Sequence, residues 1–569
     1  MNDNISHWWD HAIGYMICPV SYQDSNHDGY GDLEGILSRL PYLQELGINL
    51  IYLMPIFDSP FFDCGYDVSD YMKINPHFGT IYDLKALIAG CHERGIRLIL
   101  DLPLNHTSNQ HVWFQEALAD PYSPKRDYYY IREGKVVGNE ILPPNNWASF
   151  FGGSCWERVP NTNLYYLHVF GKTMPDLNWS NPALRQEIYR IANYYLDLGV
   201  DGFRLDAVSH LAKDLSFEDS SKPANPDGTV DDYDRFSNRP EMLDYLREFD
   251  EHVTKGRDVL TIGEVGDFMT PTQALSLVNY KDGPLRMVFN FDTAFDNDSV
   301  DSFDKADDEI KTDVLSLKRN FMRWYDGLYG KADLPLYWCN HDGPRLLSQY
   351  GSTKYRDESA KMLLTILLFL YGTPFLQYGE EIGMSNLHFD RIDDFYIDDS
   401  KRSEVASWRK AGISGDKILR YLNRTARLSS RSVMQWSKQA YAGFSSRPPY
   451  MPLNNNYTEG VDIASQMADP YSILNFYQYA ILYRRQALVN DTVMNGPLSI
   501  IDPKHPDVFA YRHDGPMRLA VIANMRPYTT YFSFYSDIKD IKLHNYGDVL
   551  FQDHVFTLRP FEVFLLILQ

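Results

Sequence analysis

Cysteine is scarce, with five in 569 residues: Cys18, Cys64, Cys91, Cys155 and Cys339. They are odd in number, far apart and without metal-type spacing, which argues against a disulfide framework and against a thiolate metal site. A reducing cytoplasm is the expected setting. Long apolar runs are missing as well. The longest, MLLTILLFLY from Met362, is stopped by GTP and is too short to span a bilayer. The opening MNDNISHWWDHAIGYM has neither a basic start nor an uninterrupted apolar stretch, so no secretion signal is expected. Positive charge is in deficit: 54 Lys and Arg stand against 76 Asp and Glu, a formal net charge of -22. Nucleic acid and anionic membrane surfaces would repel such a chain, whereas a neutral or cationic ligand suits it.

What the chain does have is core-forming material and a rhythm. Apolar side chains make up 44% of it, enough for a large core and two or three domains. Aromatics reach 14%, which suits stacking on the apolar faces of sugar rings and equally suits an ordinary core. Eight short β-branched or aromatic runs are separated by stretches of helical period: AIGYMICPV, INLIYLMP, IRLILDLPLNH, VDGFRLDAV, DVLTIGEV, LRMVFNFD, LPLYWCNHD and PFLQYGEE. Several follow an amphipathic segment ending in Gly, as in LSRLPYLQELGIN and IYRIANYYLDLGVD, where a helix C-cap precedes the next strand. Strand then helix, eight times, predicts an α/β fold, a (β/α)8 TIM barrel.

Two stretches break the rhythm. Residues 107–178, rich in Asn, Pro, Tyr and Trp, read as an inserted subdomain on the loop after strand 3. From about residue 487 strict alternation takes over, in LAVIANM and VFTLRPFEVFLLIL, and predicts a C-terminal antiparallel β-sandwich. The expected division is therefore barrel over 1–106 and 179–486, insert over 107–178 and sandwich over 487–569.

Polar residues sit where the runs end, the position from which reactive groups hang in such barrels. Run three ends in Asp101, Asn105 and His106, run four in Arg204 and Asp206, run five in Glu264, and run seven in His341 and Asp342. A structural ion-pair network is the alternative. Carboxylates on three strands, with two histidines and an arginine, favour a catalytic site.

The ordered stretches DLPLNH, MPDLN, GFRLDAVSH, GEVGD, WCNHD and GEEIGM resemble the α-amylase family of retaining glycoside hydrolases, glycoside hydrolase family 13. GDLEGILSRLPYLQELGIN, SPFFDCGYDVSDY, NHTSNQHVWF and SVMQWSKQAYAGFSS are most similar to the oligo-1,6-glucosidase, dextran glucosidase and α-glucosidase group. The resemblance implies that Asp206 is the nucleophile, Glu264 the acid/base and Asp342 a third carboxylate that clamps sugar hydroxyls and stabilises positive charge in the transition state. Arg204 would hold Asp206 ionised and aimed. Asp67 in the GYD turn, His106, His341 and Arg345 would contact the terminal sugar.

The stretch DSNHDGYGD raises a second possibility. Asp24, Asn26 and Asp28 at alternate positions open like an oxygen-ligand calcium loop, but Gly35 stands where an EF-hand needs Glu. In relatives the same pattern binds Ca²⁺ or sometimes Mg²⁺ as a structural ion, which implies Asp24, Asn26, Asp28, the Tyr30 carbonyl and Asp32 as ligands. The alternative is a solvated acidic turn. No catalytic cofactor is expected.

Departures from the family pattern bear on substrate. Met174 stands where the oligo-1,6-glucosidase group usually has Gln, Gly343 where Gln is common, and Ala207 where α-1,6-preferring members carry Val. FDNDSVDSFDKADDE, upstream of Asp342, lacks the RLDRD segment of isomaltulose synthases. The expectation is an exo-acting α-glucosidase taking a small α-glucoside or oligosaccharide, α-1,4 and/or α-1,6 linked, with net retention. Alternatives are a glucosyltransferase or isomerase acting on sucrose or trehalose, and a catalytically silent binding relative.

Overall fold

The computed structural model describes residues 7–266, 269–292, 302–304, 312–398 and 400–569. The eight predicted runs form eight parallel strands: β1 (Gly14–Ile17), β2 (Leu50–Leu53), β3 (Arg97–Pro103), β4 (Gly202–Asp206), β5 (Leu260–Val265), β6 (Met287–Asn290), β7 (Pro335–Leu336) and β8 (Thr373–Gln377). They are hydrogen-bonded in the order β6-β5-β4-β3-β2-β1-β8-β7. The ring is nearly closed: just past β7, the Tyr337 hydroxyl donates to the Asn290 carbonyl at the end of β6, 2.8 Å away.

Local chemistry sets the helices between them. Asp32 caps α1 (Leu33–Leu46) by accepting from Gly35 N at 2.6 Å, and Gly47, at φ 92°, closes it in the left-handed region. Thr80 and Asp83 form a capping box on α2 (Ile81–Glu93), and Pro182 opens α3 (Pro182–Asp197) at its first turn. The ring continues with α4 (Glu241–Phe249), α5 (Pro271–Val278), α6 (Val314–Leu328), α7 (Arg356–Phe369) and α8 (Ile473–Arg484). Alternation along each strand divides the core. Met16, Tyr52, Ile99, Ile262, Phe289 and Phe375 pack together inside the barrel, while Phe203 and Leu205 join the larger cluster under the helices. Arg204 and Asp206, out of phase with Phe203 and Leu205, therefore face inward.

The insert between β3 and α3 carries a three-stranded antiparallel sheet of Ile131–Glu133, Leu164–Leu167 and Trp156–Arg158, with Trp147, Trp156 and Leu167 in its own core. The C-terminal region holds β9 (Leu498–Ile500), β10 (Val508–Asp514), β11 (Arg518–Asn524), β12 (Thr530–Ser533), β13 (Ile538–His544), β14 (Phe551–Gln552), β15 (Val555–Leu558) and β16 (Val563–Leu568). These make two antiparallel sheets, ordered β9-β10-β11-β16-β13 and β12-β15-β14, with Ile522, Phe532, Phe556 and Phe564 between them.

Two features differ from the expectation. The alternating region starts at Leu498 and not near residue 487, because Val489 and Val493, four apart and both buried, belong to a helix, Ala487–Asn495. A third departure from the rhythm also exists: the connection from β8 to α8 is a long excursion with helices Ser400–Lys410 and Gly415–Thr425. Of FDNDSVDSFDKADDE, only residues 302–304 lie among the described residues. No helix of the described residues is long and apolar enough to cross a membrane.

Candidate active site

The centre of the site is a single guanidinium. Parallel pairing sets Arg204 on β4 beside Asp101 on β3 and Ile262 on β5, two residues before Glu264. Arg204 Nη1 donates to both carboxylate oxygens of Asp101 at 3.0 Å and to Asp206 Oδ1 at 2.6 Å, and Nη2 lies 2.7 Å from Glu264 Oε1. Asp101 also accepts from the hydroxyls of Tyr52 and Tyr66, at 2.5 and 2.7 Å. A charge buried at 2% exposure survives because three carboxylates surround it. That arrangement makes Arg204 a bridge between the two residues expected to do chemistry.

The surroundings set the proton affinities. Burial, joined by the charges of Glu264, Asp101 and Asp342, pushes Asp206 well above the ordinary carboxylate range despite the pull of Arg204. Asp342 goes the other way. Burial opposes its ionisation, but His341 Nε2 at 3.0 Å, Arg431 Nη2 at 2.9 Å and Arg427 Nη1 at 3.5 Å outweigh that and hold it well below the usual range. His106 is pushed down to about 4 by burial and so is neutral near pH 7, with a buried Nε2 that has no hydrogen-bond partner.

Asp206, Glu264, Asp342 and His106 line one cavity of about 330 Å³, with Asp63 and Tyr66. Its aromatic walls are Phe150, Phe151 and Phe170 from the insert and Phe291 after β6. Ala207 and Met174 line it too. His341 stands one step back, its ring stacked on Tyr66 at 5.1 Å and its Nε2 2.6 Å from the Tyr66 hydroxyl.

Two expected sugar contacts lie elsewhere. Asp67 is fully buried behind the cavity wall, where it accepts from Ser59 Oγ, Phe62 N and Asp63 N, each at 3.0 Å. It shapes the turn, and the residues of that turn reaching the cavity are Asp63 and Tyr66. Arg345 is likewise fully buried. It donates to the backbone carbonyls of Ser429, Tyr378 and Ser432 and pins the excursion to the end of β8.

The structure also supplies residues that sequence reading passed over. Arg427 reaches Asp63 at 2.8 Å and Asp398 at 2.6 Å, and Arg431 reaches Asp63 at 3.0 Å and Asp342 at 2.9 Å. Asp63 and Asp342, which are 279 positions apart in the chain, thus share two arginines of the excursion. The only trace in the sequence is two arginines four apart in RLSSR, which carries no signal alone.

The acidic turn of residues 24–32 is tied up by its own bonds. Asp24 accepts from His27 N, Gly29 N and Ser445 Oγ, Asn26 Oδ1 accepts from Asp28 N, and Asp28 Oδ1 accepts from Tyr30 N. Asp32 accepts from Ser25 and caps α1. Among the described residues no three His, Cys, Asp or Glu side chains are grouped to hold a metal ion. The oxygens that remain for a cation here would have to include the Asn26 amide and the Tyr30 carbonyl.

Comparison with known proteins agrees with this architecture. The family description "Alpha amylase, catalytic domain" matches residues 16–492. An oligo-1,6-glucosidase of Bacillus cereus is 37% identical over 562 residues, 98% of each chain. A trehalose-6-phosphate hydrolase of Escherichia coli is 37% identical over 569 residues, again 98% of each. The crystal structure of an isomaltulose synthase from Klebsiella superposes with a TM-score of 0.91 at 30% identity, covering 100% of both chains. A nearly closed eight-stranded parallel barrel with carboxylates at three strand ends, matched along its length by such relatives, identifies the chain as a glycoside hydrolase belonging to the alpha-amylase family.

Proposed function

We propose that the enzyme is a retaining, exo-acting α-glucosidase that releases glucose from the non-reducing ends of short α-1,4- or α-1,6-linked glucosides. The observation that carries this reading is the Arg204 bridge. One guanidinium touching Asp206 and Glu264 keeps the two carboxylates within one side chain's reach of each other, as direct attack on the anomeric carbon requires. In the first step Asp206 attacks the anomeric carbon while Glu264 gives its proton to the leaving oxygen. In the second, Glu264 takes a proton from water, and that water displaces Asp206. Asp342, held ionised by Arg431 and Arg427 and bonded to His341, stabilises positive charge on the sugar ring. The orphaned Nε2 of His106 serves a sugar hydroxyl.

Enclosure supports exo action. Asp63 and Arg427 wall the cavity, with Asp398 and Arg431 bonded behind them, and its volume suits a terminal sugar with part of its neighbour. The names of the oligo-1,6-glucosidase relatives support an α-glucoside substrate. The loop of residues 24–32 is proposed to take a structural Ca²⁺ or Mg²⁺, remote from the chemistry, and the cytoplasm remains the proposed setting. Product analysis on maltose, isomaltose, longer oligomers, sucrose and trehalose tests the substrate reading. Free glucose from the first three supports it, and rearranged disaccharides without free glucose would replace it with transfer.

A further inference from the structure

The helix Ser400–Lys410, part of the excursion between β8 and α8, contributes Ser400, Lys401 and Glu404 to the cavity that holds Asp206, Glu264 and Asp342. The transferred ring must lie against the carboxylates at the strand ends. In the α-glucosidase reading this leaves the part of the cavity bordered by the helix to the leaving group. Lys401 Nζ lies 3.0 and 2.8 Å from the two carboxylate oxygens of Glu404, and the side chains are 15% and 19% exposed. Among the described residues the other lysine or arginine that lines the cavity is Arg427, bonded to Asp398 at 2.6 Å and Asp63 at 2.8 Å. Both wall cations are thus neutralised locally. Among the described residues five carboxylates line the same space, those of Asp63, Asp206, Glu264, Asp342 and Glu404. Behind them stand Asp101 and Asp398 with Arg204 and Arg431, so the carboxylates outnumber the cations even with Glu264 protonated, and a further anion brought into this partly desolvated volume meets a net negative field.

We propose that the Lys401–Glu404 pair determines specificity for the charge of the leaving group: it hydrogen-bonds uncharged sugars and rejects leaving groups that carry a phosphate ester. The inference rests on the α-glucosidase reading of this site and narrows its substrate class. One relative of similar identity is named a trehalose-6-phosphate hydrolase, which makes leaving-group charge a property on which family members differ. Glu404 is the residue on which the discrimination turns, because removing its charge takes away the carboxylate to which Lys401 is bonded inside the cavity.

The test compares kcat/KM for trehalose with trehalose 6-phosphate, and for maltose with maltose phosphorylated on the reducing-end sugar. Wild type is expected to prefer the unphosphorylated member of each pair. Glu404→Gln should raise the ratio of phosphorylated to neutral turnover by about tenfold at low ionic strength, and by less in high salt. Lys401→Met should lower the ratio, and Glu404→Asp should keep it near wild type. Because each ratio is measured on one preparation, a partly unfolded variant does not disturb it. Preference of the wild type for the phosphorylated member, or a ratio unmoved by either charge change, overturns the inference and leaves the glucosidase reading standing. Failure of that reading looks different: no glucose is released from any neutral disaccharide, and the inference falls with it.

Discussion

The backbone N–H of Ala207 donates to Glu264 Oε2 at 2.9 Å, so the residue beside the proposed nucleophile positions the proposed acid. Ala207 itself is left-handed, at φ 50°, a conformation that costs a residue with a Cβ about 1–2 kcal/mol. The end of β4 thus links the two proposed catalytic carboxylates through the main chain as well as through Arg204.

Replacing Ala207 bears on linkage. Its methyl lines the cavity, and Val would add two methyl groups at a backbone position that a β-branched side chain tolerates poorly. Ala207→Val is expected to lower Tm. It should also shift the ratio of kcat/KM toward isomaltose over maltose by about 1–3 kcal/mol, since an α-1,6 bond has an extra rotatable methylene to swing the leaving ring aside. An unchanged ratio, or a shift toward maltose, would place linkage choice elsewhere, with Met174 the next cavity residue to change.

Asp63 and Asp67, four positions apart, should separate cleanly. Asp63→Asn weakens the bonds to Arg427 and Arg431 at the cavity wall and should cut kcat/KM on maltose by about 100-fold. Asp67→Ala leaves three donors unpaired in a buried turn and should destabilise the fold by about 2–4 kcal/mol, with a much smaller effect on the kinetics of the folded fraction. Thermal melts and kinetics on both variants check this. A kinetic loss for Asp67→Ala as large as that for Asp63→Asn would restore Asp67 as a sugar contact.

Acid should inactivate the enzyme earlier than an ordinary carboxylate would dictate. Asp206 must be ionised to attack, and its proton affinity is raised, so the nucleophile is lost as pH falls through a value above about 4. Asp342, displaced downward, stays ionised throughout that range. The profile of kcat/KM on an aryl α-glucoside is expected to show its acid limb above about pH 4. Full activity at or below that value would contradict the raised affinity of Asp206.

The cation proposal makes a stability prediction. If the loop of residues 24–32 holds Ca²⁺ or Mg²⁺, chelation lowers Tm while activity assayed well below Tm persists, because the loop tethers structure and supplies nothing to the cavity. Asp24→Ala should reproduce the loss and be insensitive to chelator. Unchanged Tm under chelation leaves the loop as a turn held by its own hydrogen bonds.

The barrel was legible in the sequence because its strands are short, apolar and rhythmically spaced, and because each polar strand end interrupts an apolar run. Arg204, Asp206, Glu264 and Asp342 could be read from those interruptions. The excursion after β8 was not, since Ser400–Lys410 is largely polar and buries only Val405, and Gly415–Thr425 buries only Ile418 and Leu422, too few apolar residues to stand out beside the barrel helices. Arg427 and Arg431 were hidden with it, because the carboxylates that give them meaning lie far off in the chain. Within the GYD turn, the sequence could not tell which acid faces in: Gly65 at φ 104° reverses the chain, and the backbone takes up Asp67 while Asp63 turns to the cavity.

The central claim, double displacement through Asp206 with Glu264 as acid and base, is tested most directly by the anomeric configuration of the first product. Proton NMR of the hydrolysis of an aryl α-glucoside, recorded before mutarotation intervenes, reads the anomer of the single glucose that is released. Appearance of α-glucose first is the predicted result. Appearance of β-glucose first would mean single displacement by water, and would contradict the role assigned to Asp206.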